Sequence, residues 1–117
     1  GEDGLGNMQL SLPKSARNVD GDHAVQVLLR VLRSAPGLVT VVALGPLTNI
    51  AIAIRSDAAL WRQKCEQLVW MGGAVAAGGN KAAWSEFNAA TDPEAAHIVL
   101  SSGLPITIYP WDVFLKP

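Results

Sequence analysis

Three segments of the chain carry apolar residues at helical spacing, with polar residues on the opposite side. In residues 22–35 the apolar positions recur at three- and four-residue steps, and a Pro-Gly pair follows. Residues 47–54 form a second stripe behind a proline, and Ser-Asp at 56–57 can cap a short helix after it. The third segment, 92–103, opens on Asp-Pro-Glu and closes at a glycine. These patterns predict helices.

Short apolar runs rich in β-branched residues alternate with the predicted helices. Residues 38–44, 67–71 and 105–110 each suit a strand, and the first run is apolar enough to be covered on both faces. Alternating helices and strands, joined by right-handed crossovers, predict a parallel sheet. We therefore expect an α/β fold: a Rossmann-like parallel sheet with helices on both faces.

The ends of the predicted strands indicate where a functional site would lie. Leu44, Met71 and Pro110 end strands and are followed by turns or loops. In parallel α/β sheets, ligands bind beyond the carboxyl ends of the strands. The loop 72–91 is long for a compact domain, and such loops are usually functional or disordered. Its glycines permit a tight exit from the strand and a close approach of backbone to a ligand.

The polar side chains of this loop form a candidate site. An extended segment at 85–88 would place Glu86 and Asn88 on one side and Phe87 on the other, so that Phe87 could anchor the segment in the core. With Asn80, they offer one charged acceptor and two amides that donate and accept, a set that suits the hydroxyls of a sugar. The alternative is structural: the two asparagines cap turns and Glu86 is solvated.

Composition and charge exclude several classes of partner. The 117 residues are half hydrophobic and carry a net charge of −1, without a cluster of Lys and Arg that would bind nucleic acid or an anionic membrane. Every apolar stretch is shorter than the ~20 residues of a membrane helix. The single cysteine, Cys65, excludes an internal disulfide and favours a cytoplasmic setting. It is better explained as a structural thiol than as a nucleophile, because nothing nearby would activate it.

Six motifs occur in order along the chain: D-G-L-G-N at 3–7, V-A-L-G-P-L-T-N-I-A-I-A at 42–53, V-W-M-G-G-A at 69–74, G-N at 79–80, S-E-F-N-A-A-T-D-P-E-A-A-H-I-V at 85–99 and S-G-L-P-I-T-I-Y-P-W-D-V at 102–113. Together they resemble the inosine-uridine-preferring nucleoside hydrolase family. The resemblance implies a Ca²⁺-dependent enzyme that cleaves the N-glycosidic bond of ribonucleosides to give ribose and a free base. It also implies a homo-oligomer for the full-length enzyme.

The resemblance assigns roles to five residues of this chain. Met71, Asn80, Glu86 and Asn88 match positions at which the family contacts ribose. Leu44 matches the position at which the family donates a backbone carbonyl to the metal. A hard cation such as Ca²⁺ accepts many oxygen ligands, so that a sugar diol and an attacking water can share its coordination shell.

The chain also departs from the family pattern. The signature D-x-D-P-G-x-D-D, which provides the general base and most metal carboxylates, does not occur in the 117 residues, nor does the later metal-ligating Asp with its neighbouring His. His23 and His97 are expected at the surface, Asp112 as a structural residue, and Asp3 in a turn.

We therefore expect residues 1–117 to be the central part of a single nucleoside hydrolase domain, without the N-terminal metal motif and the C-terminal segment. No catalytic residue is expected in this chain, and by itself it should be inactive. Two alternatives remain: a non-catalytic remnant that binds ribose or nucleosides, and a product without a ligand.

Overall fold

The computed structural model of the chain describes residues 21–115, so Asp3 lies outside the described residues. These residues form five α-helices, three strands and a final 3₁₀ helix. In chain order, the elements are α1 (Ala24–Ser34), β1 (Val39–Ala43), α2 (Thr48–Ser56), α3 (Ala58–Lys64), β2 (Cys65–Met71), α4 (Phe87–Thr91), α5 (Pro93–Leu100), β3 (Ile106–Tyr109) and the 3₁₀ helix Trp111–Leu115.

The strands form one parallel sheet in the order β1-β2-β3. This confirms the predicted parallel sheet. Because both crossovers move in the same direction along the sheet, right-handed connections place their helices on the same face. Helix α2 accordingly contacts α3 and α5, and α1 packs beside α2 and α3. Of the two helical layers in the predicted fold, residues 21–115 form one.

The hydrophobic core lies between the sheet and this helical layer. Alternate residues along β2 point into it, and Leu68 and Trp70 are buried there beside Ala43 of β1. The helices contribute the apolar stripes that their spacing predicted. The core residues of the helices are Val25, Leu29 and Leu32 of α1, Ile50, Ala51, Ala53 and Ile54 of α2, Trp61 of α3, and Ala95, Ala96 and Val99 of α5.

The other face of the sheet is open in the part of the chain that the structure describes. Val42 pairs in register with Val69, which pairs with Thr107, and Val42 is 60% exposed. The prediction that 38–44 is a strand covered on both faces is therefore wrong for the described residues. The apolar composition of residues 38–44 predicts a strand, but whether both faces of that strand are covered depends on which other segments of the protein pack against the sheet.

The predicted helix boundaries agree with the structure to within a few residues, and local capping explains them. Asp57 accepts a hydrogen bond from the backbone N–H of Leu60 and starts α3, as its position predicted. Asp92 does the same for Ala95 at the start of α5, with Pro93 as the first helical residue. The prediction that 72–91 is a continuous loop is wrong at its end, because α4 lies there.

Two further observations concern membrane-spanning helices and the single cysteine. Among residues 21–115, every helix is too short or too polar to cross a lipid bilayer. Cys65 is a buried free thiol, and burial raises its pKa, so it is not activated as a nucleophile. The cytoplasmic setting stays a prediction.

Candidate functional site

The site begins where β2 leaves the sheet. Met71 is the last strand residue, and the backbone turns at Gly73, whose φ of 75° is the left-handed conformation that glycine adopts without steric cost. This confirms the predicted tight exit from the strand. Gly73 is bound on both sides: its N–H donates to Oε2 of Glu86 at 2.8 Å, and its carbonyl accepts from the N–H of Trp111 at 2.9 Å.

Glu86 is the most deeply buried polar residue of this edge, with 2% of its surface exposed. It is the N-cap of α4: Oε1 accepts from the N–H of Asn88 at 2.9 Å, and Oε2 accepts from that of Ala89 at 3.1 Å. With Gly73, three backbone N–H groups surround the carboxylate, and no cation of the described residues forms an ion pair with it. Within residues 21–115, hydrogen bonds from the start of α4 and from Gly73 therefore stabilise the carboxylate in place of a counter-ion.

Asn88 connects α4 back to the end of β2. Its Nδ2 donates to the carbonyl oxygen of Met71 at 3.0 Å and lies 3.2 Å from the Met71 sulfur. The residue is buried, and among the described residues nothing donates to its Oδ1. The amide therefore orients one acceptor at the carboxyl edge of the sheet while its donor group is fixed by Met71.

Asn80 lies at the exposed rim of the same cluster. Its Oδ1 accepts from the N–H of Phe87, the first residue of α4, at 2.7 Å. Residues 79–85 fold into a tight turn around it, in which a Cβ on Gly79 would lie 2.2 Å from the carbonyl oxygen of Ser85. The Nδ2 donor of Asn80 has no partner within residues 21–115. Because Gly79 has no side chain, the backbone at residue 79 can lie against the backbone of Ser85 in this turn.

The structure corrects the predicted role of Phe87. Glu86 is extended, but Phe87 and Asn88 are helical, so the segment 85–88 is not an extended strand. The acid and the amide do lie on the inner side, whereas Phe87 is 49% exposed and its ring lies 5.4 Å below Nζ of Lys81. The N–H groups of the helix terminus stabilise a buried carboxylate, and the phenyl ring then faces outward. The alternative of a solvated Glu86 is also wrong.

Leu44 lies at the neighbouring strand end. It follows β1 directly, and 78% of its surface is exposed. The next carbonyl, of Gly45, accepts from Nε1 of Trp70 at 3.1 Å, which ties the end of β1 to that of β2. The expected residues therefore lie on one sheet edge: Asn88, Met71 and Glu86 are connected by hydrogen bonds, Asn80 contacts their helix, and Leu44 follows the adjacent strand.

The described residues do not form a calcium site by themselves. Ca²⁺ takes about 6–8 oxygen ligands, and residues 21–115 contain no group of three His, Cys, Asp or Glu side chains that could hold a metal. Asp112 does not fill this role, because its two oxygens accept from backbone N–H groups. His23 and His97 are exposed, as expected, and His23 caps α1.

The expectation that Asp112 is a structural residue is confirmed, but sequence reasoning did not show that it holds the loop after β2. Asp112 accepts from the N–H groups of Val75, Ala76 and Ala77 at 2.7–2.8 Å, and these bonds lower its pKa to about 2. A usable signal was present: the loop segment A-V-A-A at 74–77 offers no side-chain acceptor for its own amides, so any side chain that holds them has to come from another element.

Comparison with known proteins identifies relatives of this chain. The family model described as inosine-uridine preferring nucleoside hydrolase matches residues 1–117. A probable uridine nucleosidase of Oryza sativa subsp. japonica is 42% identical over 108 residues, which cover 92% of the chain and 32% of the relative. The pyrimidine-specific ribonucleoside hydrolase RihA of Citrobacter koseri is 42% identical over 116 residues, or 99% of the chain and 36% of the relative.

A solved plant nucleoside hydrolase, PpNRh1, superposes with a TM-score of 0.83 at 37% identity, over 96% of this chain and 34% of that one. The chain thus spans about a third of the length of the relatives that it matches.

Proposed function

The chain belongs to the inosine-uridine preferring nucleoside hydrolase family, and from this premise we propose that residues 1–117 are the central part of one hydrolase domain. The proposed activity of the complete enzyme is hydrolysis of the N-glycosidic bond of ribonucleosides to ribose and a free base. Within that enzyme, this chain contributes the surface that binds the ribose.

The observation that carries the proposal is the hydrogen-bonded cluster of Met71, Glu86 and Asn88 at the carboxyl edge of the sheet. A carboxylate offers about four acceptor positions, of which three are used here by backbone N–H groups. The unused position, Oδ1 of Asn88 and Nδ2 of Asn80 are the groups that we assign to sugar hydroxyls. They accept and donate without a positive charge, which suits a neutral pentose.

The fixed carboxylate also suits the proposed chemistry. Cleavage of a glycosidic bond passes through a transition state with positive charge on the sugar ring. A negative group that is already oriented stabilises this charge without reorganisation. In this chain, the backbone N–H groups hold Glu86 in place before any substrate binds.

Calcium dependence belongs to the proposal for the complete enzyme. There Leu44 would donate one backbone carbonyl to the metal, and the remaining oxygens would come from outside the described residues. Because the described residues lack these oxygens and the printed sequence lacks the D-x-D-P-G-x-D-D motif, we propose that the 117-residue chain alone is inactive.

A direct assay tests the inactivity of the chain. The purified chain is incubated with inosine or uridine and CaCl₂, and release of base is measured chromatographically, with a full-length nucleoside hydrolase as the positive control. We expect no release above the rate without protein. Release that depends on both the chain and Ca²⁺ would contradict the proposal.

Ribose binding is tested separately, by titrating D-ribose into the ¹⁵N-labelled chain. We expect shifts at the amides of Gly73, Asn88 and Ala89, which contact the Glu86 carboxylate. Glu86→Gln removes the charge and should weaken binding by about tenfold or more, the range for a hydrogen bond to a charged group. Glu94→Gln, an exposed acid in the first turn of α5, is the matched control and should change nothing. Equal shifts in both variants, or none in the wild type, would contradict the assignment.

A non-catalytic protein that binds ribose or nucleosides is the second candidate. It is favoured by the combination of an intact polar cluster with no acidic metal cluster within residues 21–115. Sequencing the gene on the 5′ side of the Gly1 codon distinguishes the two, because the hydrolase requires an Asp-Pro-Gly-x-Asp-Asp stretch there. Self-association of the full-length protein stays a prediction, which light scattering can measure.

A further inference from the structure

The loop that follows β2 is held by one side chain from the neighbouring strand end. Asp112 lies in the 3₁₀ helix after β3, and its Oδ1 accepts from the N–H groups of Ala76 and Ala77, both at 2.7 Å. Its Oδ2 accepts from the N–H of Val75 at 2.8 Å. Three consecutive backbone amides thus converge on one carboxylate, an arrangement that binds anions in many proteins.

Apolar packing contributes little at the middle of this loop. Val75 is 82% exposed, and Ala76 is exposed as well. Residues 74–77 have no polar side chain that could bond to their own backbone. The carboxylate of Asp112 is therefore the main restraint on the segment, and it is a restraint that a neutral amide cannot reproduce, because Asn offers one acceptor oxygen in place of two.

A short backbone path leads from this loop to the site. The loop begins at Gly73, whose N–H donates to Oε2 of Glu86 and whose carbonyl accepts from the N–H of Trp111, the residue before Asp112. The peptide groups of Gly73 therefore lie between Glu86 on one side and the 3₁₀ helix on the other. If residues 75–77 were released, the two bonds at Gly73 would be the only restraint on this end of the loop, and they would have to resist the motion of the whole segment.

We propose that Asp112 is a positioning residue: by binding the amides of residues 75–77 it fixes the peptide groups of Gly73, and through them the orientation of the Glu86 carboxylate. It contacts no ligand itself. The link to sugar binding rests on the ribose site proposed above, whereas the link to Glu86 does not.

Hydrogen exchange in the 117-residue chain tests the link to Glu86. Asp112→Ala should increase exchange at Val75, Ala76 and Ala77, which it contacts directly. The decisive readout is at the amides of Gly73, Asn88 and Ala89, which donate to Glu86: there we expect exchange to rise by about tenfold, the effect of weakening one hydrogen bond. Asp112→Asn, which keeps the shape and one acceptor, should give a smaller rise at the same amides.

Asp57→Ala is the matched control, because Asp57 also accepts a backbone hydrogen bond but caps α3 away from the sheet edge. It should leave exchange at Gly73, Asn88 and Ala89 unchanged. If Asp112→Ala raised exchange at residues 75–77 only, the role of Asp112 would be local and the proposal would be overturned. An equal rise at all amides in both variants would indicate global destabilisation and would overturn it as well.

The titration with D-ribose extends the test to function. If the wild-type chain binds ribose, Asp112→Ala should weaken binding by about tenfold, while Asp57→Ala should not. An unchanged affinity with raised exchange at Gly73 would overturn the functional part of the inference and leave the ribose site standing. Failure of the wild-type chain to bind ribose would overturn the ribose site, and with it the functional part of this inference, while the exchange data would still decide the link to Glu86.

Discussion

The helix-covered face of this small sheet and the loops at its carboxyl edge are stabilised by different means. Its helix-covered face is held by apolar side chains with no exposed surface, such as Leu32, Trp61 and Leu68. The loops at its carboxyl edge are held instead by two carboxylates, Glu86 and Asp112, that accept hydrogen bonds from backbone N–H groups. Apolar packing is therefore the main support of the helical layer, whereas the site depends on directional hydrogen bonds, which set atomic positions more narrowly than apolar contact does.

The largest effect is expected from the covered face. Leu68→Ala removes a fully buried side chain at the centre of the sheet and should lower the free energy of unfolding by about 2–5 kcal/mol. Denaturant titration measures it. Leu100→Ala, at a half-exposed position of α5, is the control and should cost much less. Equal costs at the two positions would contradict the comparison.

Glu86→Ala should have the next largest effect, and it acts on the carboxyl edge. It leaves the N–H groups of Gly73, Asn88 and Ala89 without their acceptor, so the free energy of unfolding should fall by about 1–3 kcal/mol. Glu94→Ala, in the exposed first turn of α5, should cost less than about 1 kcal/mol. Denaturation curves that coincide for the two variants would show that Glu86 is not part of the local structure.

Asn80→Ala probes the rim of the site and should change stability by less than about 1 kcal/mol, since it removes one exposed hydrogen bond. Its effect should be seen in binding, because a donor for the sugar is lost. Asn49→Ala, at an exposed position of α2, is the matched control and should leave ribose affinity unchanged. Equal affinities in the two variants would remove Asn80 from the site.

The smallest effect is a dependence on acid pH. Bonds from Val75, Ala76 and Ala77 lower the pKa of Asp112 from its ordinary 3.8 to about 2. The stabilisation is therefore fully present above pH 3.8 and is lost as the pH falls through the folded pKa. Thermal melting of the wild type and of Asp112→Asn should converge between pH 3.8 and 2. Asp57 and Asp92 also have lowered pKa values, but both proteins contain them, so their titration cancels in the comparison. A stability difference that stayed constant over this window would contradict the stabilising role of the Asp112 carboxylate.

Much of the fold could be predicted because its signals are local. Asp57 and Asp92 start helices as their positions indicated, and the strands β1, β2 and β3 lie within one or two residues of the apolar runs. Helix α4 was missed because its five residues are too few to show a periodicity. The burial of Phe87 was predicted wrongly, because hydrophobicity alone does not decide which side of a segment faces the core.

The candidate site was predicted in part. Glu86, Asn88 and Met71 do lie together, since the order of motifs and the rule for parallel strands both bring them to one edge. Their bonding could not be predicted: the loop 72–86 must fold back for Gly73 to contact Glu86, and that contact joins residues far apart in sequence. The same is true of Asp112 and residues 75–77.

The sequence by itself determined most of the elements and their apolar faces, because spacing and capping are properties of neighbouring residues, and the order of its motifs determined the family to which the chain belongs. Only the tertiary structure decided that the strands run in the order β1-β2-β3 with one helical layer in residues 21–115, and that, among these residues, backbone N–H groups rather than cations surround Glu86. Those features depend on which distant segments pack together, and the free energy of each such contact is set by burial and geometry that exist only once the chain has folded.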